Sequence, residues 1–356
     1  MFSVLRLLLY PLALVYGAIV WIRNKMYDSG MSNSVKFAPP VISVGNLSVG
    51  GTGKTPHVEY LIRLLQQKYI VATMSRGYKR NTSGFLLAEK DTNAYRIGDE
   101  PMQYFLKFPE AIVTVAEERM TGIPQLLQRK PETDVILLDD AYQHRSVKAG
   151  LNILITDYHK PYYKDHILPF GTLREGRSSY KRADIIVVSK CPPNLLIEEA
   201  QKIENQLKKQ SHQHVFFSTI QYGEPYEFDG GAPASLEGTN AILVTGIARP
   251  GPMENYVKGL AREVHTLSYP DHHYFVTSDL EEIKSAYNNW DVPGKVIVTT
   301  EKDAARLHLH LDKIREWNIP VVVLPITVSI LFGKETEFNS LVSAYVDHVV
   351  QENNTI

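Results

Sequence analysis

Residues Val41-Ile42-Ser43-Val44 run directly into Gly45-Asn46-Leu47-Ser48-Val49-Gly50-Gly51-Thr52-Gly53-Lys54-Thr55-Pro56. An apolar strand, a glycine-rich loop and a helix start in immediate succession build a phosphate-binding loop. Backbone N–H groups at the loop and at the helix N-terminus face an anion, and the helix dipole adds to their pull. Gly50, Gly51, Thr52 and Gly53 supply that backbone, Lys54 reaches β- and γ-phosphates, and Thr55 ligates Mg²⁺. Ser48 stands where the strict pattern has its first glycine, and Gly50 and Gly51 provide the permissive backbone instead. A glycine turn before an ordinary helix is the competing reading. The buried-type strand before Gly-Lys-Thr favours the nucleotide.

Around this loop, short apolar runs alternate with helical patterns. Strands are expected at 41–44, 70–74, 111–115, 135–138, 151–155, 184–188 and 214–219, and helices at 55–67, 99–107, 117–129 and 195–209. The alternation predicts an α/β fold of the P-loop NTPase type, with a doubly wound, mostly parallel sheet. Residues 228–240 are rich in turn formers and read as a linker. Beyond it, strands near 241–245, 263–268, 295–299 and 320–324, with helices at 252–261, 278–289, 302–316 and 337–350, predict a second, smaller α/β/α domain. The expected division is an apolar N-terminal helix over 1–35, a nucleotide domain over 36–227 and a closing domain over 241–356. With 356 residues both domains have room for a core. The net charge of -1 argues against a nucleic-acid partner, and nothing calls for an obligate protein partner. One cysteine, Cys191, fits a reducing compartment and excludes a disulfide framework.

No residue from Leu7 to Ile22 is charged, and Arg6 and Arg23 bracket the run. Spanning a bilayer takes about 20 apolar residues, so the run is short for a crossing. Tyr10, Tyr16, Trp21, Arg23 and Lys25 suit a membrane interface. A signal peptide lacks its cleavage site here. A buried core helix stays open as the alternative.

Chemistry-bearing residues collect at predicted strand ends. Val135-Ile136-Leu137-Leu138 ends in Asp139-Asp140, two carboxylates placed to hold Mg²⁺ or to cap a helix. Gln143 follows at the same edge. Asp99 stands at a helix start, where capping is the plainer reading. Asp271-His272-His273 lies on a loop of the second domain, where histidine can share a proton with a carboxylate. No metal-ligand spacing supports zinc there. Thr299-Thr300-Glu301-Lys302-Asp303 ends a strand and opens a helix, fitting a cap or a site. Residues 158–182 carry six Lys and Arg against two Asp and Glu with little regular pattern. Arg174 and Arg177 on this segment could grip phosphate, or line a solvated basic loop.

Taken in order, these segments resemble the tetraacyldisaccharide 4'-kinase family, the lipid A 4'-kinases of Gram-negative bacteria. The resemblance rests on the apolar N-terminal helix, the phosphate loop, Ser75-Arg76-Gly77-Tyr78, Gly98-Asp99-Glu100-Pro101 and Leu138-Asp139-Asp140-Ala141-Tyr142-Gln143-His144. It continues through Leu168-Pro169-Phe170-Gly171-Thr172-Leu173-Arg174-Glu175, Gly246-Ile247-Ala248-Arg249-Pro250, Pro270-Asp271-His272-His273 and Thr300-Glu301-Lys302-Asp303. It implies transfer of the ATP γ-phosphate to the 4'-hydroxyl of a tetraacylated glucosamine disaccharide 1-phosphate, a lipid A precursor. It also implies attachment to the phospholipid surface at the cytoplasmic face of the inner membrane. Asp99 then becomes the expected base and His272 its partner, meeting as the domains close. Lys54, Thr55, Asp139, Asp140, Gln143 and Glu175 become the ATP–Mg²⁺ set, and Asn46, Arg76, Arg119, Arg174 and Arg177 the acceptor contacts. Ala141-Tyr142 and Phe170-Gly171-Thr172 depart from the commoner Gly-Phe and Ala-Gly-Pro. A membrane-attached nucleotide switch and a soluble small-molecule kinase are the alternative functions.

Overall fold

The computed structural model describes residues 9–355. Arg6, Leu7 and Leu8, where the uncharged run begins, lie outside them. The expected fold class holds: two sheets, mostly parallel, are each covered by helices.

The first sheet contains β1 (Val41–Gly45), β2 (Val71–Ser75), β3 (Leu86–Leu87), β4 (Ile112–Val115), β5 (Val135–Asp139), β6 (Leu151–Asp157), β7 (Ile185–Ser189), β8 (His214–Tyr222) and a late strand at Ile326–Ile330. β1 lies at its centre, parallel to β5 on one side and β6 on the other. Every residue of β1, β2, β5 and β7 is buried, which is why these segments read as continuous apolar runs without alternation. Burying each Val or Ile side chain contributes about 1.5–3 kcal/mol. Helices α1 (Tyr10–Asp28), α2 (Lys54–Leu65), α3 (Asp99–Lys107), α4 (Arg119–Arg129) and α5 (Ile197–Leu207) accompany this sheet. Chain order reverses on either side of β1, so the loop leaving its carboxyl end opens into the crevice where such folds bind ligands.

The second sheet runs β11-β10-β12-β13-β9, from β9 (Tyr226–Glu227), β10 (Asn240–Thr245), β11 (Glu263–Ser268), β12 (Lys295–Thr300) and β13 (Val321–Leu324). Helices α6 (Gly251–Lys258), α7 (Thr277–Asn289) and α8 (Glu301–Leu307) connect its strands. The helix expected over 302–316 breaks after Leu307 into a 3₁₀ turn and a short helix, Leu311–Arg315.

The expected domain limits need correction at both ends. β9 lies before the expected linker and pairs antiparallel with β13, so residues 226–227 belong to the second sheet. The chain then leaves that sheet after Leu324. β14 (Ile326–Ile330) pairs antiparallel with β8, and α9 (Glu335–Asn354) buries Phe338, Val342 and Val346 in the same core as Ile42 and Val58. Pairing with β14 covers the β8 edge, which would otherwise expose unpaired backbone groups. The two crossings lie side by side, with Gly223 N–H donating to Pro325 O at 2.9 Å.

α8 packs along α3, and its Ala305 enters the first domain's core. Lys107 of α3 bonds Glu59 of α2 at 2.7 Å and also Glu301 at the start of α8. One cation thus joins the phosphate-loop helix to the second domain.

α1 is not a core helix. Leu12, Leu14, Val15, Ile19, Trp21 and Ile22 are each more than half exposed, and only Ala13 and Val20 of the helix are buried. Its contacts form a narrow stripe against the 158–182 segment and, near its end, Arg145: the Tyr16 hydroxyl donates to Arg174 O at 3.0 Å, the Tyr10 ring meets Phe170 edge-on, and Arg145 donates to Asn24 O and to Asp28, each at 2.8 Å. Among the described residues no helix is long and apolar enough to cross a membrane.

Candidate active site

The loop after β1 has the geometry its glycines predict. Gly50 and Gly53 take φ of 105° and 92°, and Gly53 caps α2 in the left-handed region. A Cβ on Gly53 would also lie 2.7 Å from Ser189 Oγ. Gly53→Ala should therefore cost about 1–3 kcal/mol. Denaturant unfolding checks this, and a variant as stable as the parent removes the argument. Asn46 is fully buried and ties the loop to itself, its side-chain amide donating to Thr52 Oγ1 at 2.8 Å. Lys190, at the end of β7, donates to Gly51 O and pairs with Asp157 at 3.2 Å. Arg249 of the second domain approaches the same Asp157 at 3.7 Å.

The 158–182 segment runs beside this loop. Val49 N–H donates to Thr172 O at 2.8 Å and Arg174 N–H to Leu47 O at 2.7 Å, strapping it along the loop's outer side. Arg174 then places one guanidinium nitrogen 3.0 and 2.9 Å from the two oxygens of Asp140. Lys54 Nζ lies 3.4 Å from Asp140. Burial opposes ionisation of Asp140, yet Lys54 and Arg174 outweigh it and hold the carboxyl below its usual range. Its neighbour Asp139 behaves oppositely. Burial, with Glu100 second, pushes Asp139 up to about 7 against the pull of Lys54. Asp139 Oδ2 accepts from the Tyr104 hydroxyl at 3.0 Å, while Oδ1 is buried with no hydrogen-bond partner. An orphaned buried carboxylate oxygen beside a second carboxylate suits a hard divalent cation. Among the described residues no three His, Cys, Asp or Glu side chains gather to hold a metal. A Mg²⁺ here would rest on one or two carboxylates, a hydroxyl and substrate phosphates, as is usual for that ion.

Several expected roles change. Glu175 is wholly buried and spent on Arg182 at 2.8 Å, Asn24 at 3.1 Å and Arg23 at 3.5 Å, so it anchors α1 to the 158–182 segment and is not a free metal ligand. Gln143 donates to Asn46 O at 2.9 Å and accepts from Arg174 at 3.4 Å, which makes it a brace for the loop. Arg119 was expected at the acceptor but is buried. Its guanidinium serves the carbonyls of Ala116, Glu117 and Asp139 at 3.1, 3.1 and 3.2 Å, and burial lowers it to about 10. Arg177 bonds Asp165 O at 2.7 Å within its own loop. Arg76 is exposed at the end of β2, open to a ligand.

Asp99 of the first domain and His272 of the second lie together across the two domains. His272 Nδ1 lies 2.8 Å from Asp99 Oδ2. Burial alone would raise the Asp99 carboxyl, but the His272 hydrogen bond and the charges of Lys302 and Arg306 hold it at about 2. His272 takes φ of 59° and its ring meets Tyr78 edge-on at 5.1 Å. Asp140 has φ of 50°, so both groups sit in the sparsely populated left-handed region, a strain often found at functional sites. Gly98, not Asp99, is the α3 N-cap, and Asp99 Oδ1 accepts only its neighbour's N–H, from Glu100 at 3.0 Å.

Sequence reasoning passed over Tyr104, Lys190 and Arg306 as site residues, and named Lys302 only within a segment fitting a cap or a site. Lys190 had a signal in its place after a strand facing the loop. Tyr104 and Arg306 sit on helical faces that look like ordinary core and had none.

The comparisons with known proteins agree along nearly the whole chain. The family model described as LpxK, tetraacyldisaccharide-1-P 4'-kinase, matches residues 5–347. A tetraacyldisaccharide 4'-kinase of Bacteroides thetaiotaomicron is 43% identical over 351 residues, covering 95% of this chain and 92% of the relative. One from Flavobacterium johnsoniae is 49% identical over 307 residues, covering 86% and 88%. The crystal structure of LpxK from Aquifex aeolicus, an "apo" form in complex with ATP, superposes with a TM-score of 0.74 at 28% identity, covering 96% of this chain and 99% of that one. Matched by the family model over nearly its full length and by such relatives, the chain belongs to the tetraacyldisaccharide-1-P 4'-kinase family.

Proposed function

We propose that this chain transfers the γ-phosphoryl group of ATP to the 4'-hydroxyl of a tetraacylated glucosamine disaccharide 1-phosphate. The observation that carries the site assignment is α3. Its first residue, Asp99, holds the pair with His272, and its Tyr104 is bonded to Asp139 at the strand end beside the phosphate loop. One rigid helix thus links the acceptor's base to the nucleotide's acids. The acceptor oxygen attacks the γ-phosphorus, and its proton passes to Asp99. The bond from phosphorus to the bridging oxygen breaks, and ADP leaves with the bonding pair. Lys54 and the loop N–H groups neutralise charge on the transferring group. Thr55, Asp139 and Asp140 would hold Mg²⁺, which would supply further charge neutralisation. Asn46 shapes the loop, and Arg76 and Arg174 are the cations we assign to the acceptor side. Incubation with γ-labelled ATP, Mg²⁺ and the lipid disaccharide tests the reading: label must appear on the lipid. Nucleotide hydrolysis with unlabelled lipid would instead indicate a nucleotide switch.

The exposed face of α1 supports peripheral attachment to phospholipid at the cytoplasmic side of the inner membrane, where both ATP and a greasy acceptor are reached. Deleting the helix would also remove Arg23 and Asn24 from Glu175, so substitutions on the open face make the cleaner test. Leu14→Glu with Ile19→Glu should lower partition onto anionic vesicles by about tenfold or more, given about 1.5–3 kcal/mol per apolar side chain removed. KM for the lipid should rise while KM for ATP stays. Unchanged vesicle flotation would place the membrane contact elsewhere.

A further inference from the structure

Lys302 opens the first turn of α8, between Glu301 and Asp303. The turn is fixed: Thr300 Oγ1 caps it by accepting from Asp303 N–H at 2.9 Å, and Asp303 accepts from Gly246 N–H at 3.0 Å. Its Nζ comes to 3.2 Å from His272 Nε2. It also lies 3.6 Å from Glu100 and 3.8 Å from Asp99 Oδ2. An ammonium has only protons to offer and no lone pair. A ring nitrogen facing it at this distance must accept, so the opposite nitrogen carries the ring proton. That opposite nitrogen is Nδ1, the atom 2.8 Å from Asp99.

We propose that Lys302 is a positioning residue that fixes the His272 imidazole as its Nδ1–H tautomer, and so sets the direction of the hydrogen bond to Asp99. This deepens the kinase reading above and rests on it for the catalytic consequence. With Nε2 occupied by Lys302, the ring has no free lone pair with which to take a proton. The proton leaving the acceptor hydroxyl therefore stops on Asp99, and His272 orients the carboxylate without relaying the proton onward. The other groups around the ring are Asp271, whose carboxylate is 3.8 Å from Nε2, and the Tyr78 ring edge. Neither offers the ring nitrogen a hydrogen bond of comparable length.

The test uses the full chain in detergent and has two readouts. Ring-nitrogen NMR shifts, with the His272 signal identified by its loss in His272→Asn, report the tautomer without turnover. They stand whether or not the chain phosphorylates the proposed lipid. The parent should show His272 protonated at Nδ1 and not at Nε2. In Lys302→Met, which keeps the chain length and removes the donor, that signature should give way to mixed tautomers. kcat should then fall on the order of tenfold to hundredfold, the range of a mispositioned base, with KM for ATP within about twofold. Lys302→Arg should retain both. An Nε2-protonated ring in the parent overturns the proposal, and this result is available even if Lys302→Met fails to fold. An unchanged tautomer in Lys302→Met also overturns it, whatever kcat does, as does a changed tautomer with unchanged kcat.

Discussion

Lys54→Met should lower kcat at least about a thousandfold, the loss of about 4 kcal/mol of transition-state stabilisation, with the fold intact. The side chain sits at the first helical position after Gly53, where the loop N–H groups converge, and its charge is balanced by Asp140 at 3.4 Å. Charge builds on the transferring phosphoryl group, and a cation fixed beforehand at that point requires no reorganisation during the reaction. Methionine keeps the length and apolar stem, so packing of the largely buried side chain is little disturbed. Single-turnover transfer and a thermal melt separate the outcomes. Near-normal kcat with a normal melt would remove Lys54 from the chemistry and with it the phosphate-loop assignment.

Asp99→Asn and His272→Asn should each lower kcat by about a hundredfold or more, and the double variant should lose little beyond the worse single. The 2.8 Å bond between them carries the expectation. A carboxylate held at about 2 is a weak base by itself. Its usefulness comes from the orientation that the His272 bond fixes, which aims the carboxylate at the acceptor proton as bond formation proceeds. If the groups act as one unit, removing either removes the unit, and the coupling energy in the cycle is large. If Asp99 merely supports the start of α3, the expected loss is stability of about 0.5–2 kcal/mol with kcat preserved. Additive effects on kcat would exclude a coupled pair even if both residues mattered.

What was legible in the sequence is what local physics dictates. Largely apolar runs at 41–44, 135–138 and 184–188 read as buried parallel strands. A glycine-rich turn into Lys54-Thr55 after a buried-type strand favoured a helix start facing an anion over an ordinary turn. The uncharged run ahead of Arg23 announced an apolar helix, and acids at strand ends announced ligand-edge chemistry. Roles that depend on which groups are brought together over long separations were not legible. Glu175 and Asp140 are both acids in suggestive motifs, yet one is buried among Arg23, Asn24 and Arg182 and the other faces Lys54. Nothing local distinguishes them, because a carboxylate's role is set by the partners that arrive from other elements. The same holds for Arg119, whose charge is consumed by backbone carbonyls, and for Lys302, whose partner His272 lies 30 positions earlier. The return of β14 and α9 to the first sheet was equally hidden, since an edge strand's choice of neighbour depends on which edge the finished sheet leaves open. Sequence alone determined the elements and the kind of chemistry. The tertiary structure decided the pairings, because burial and charge compensation exist only once distant side chains share the same volume.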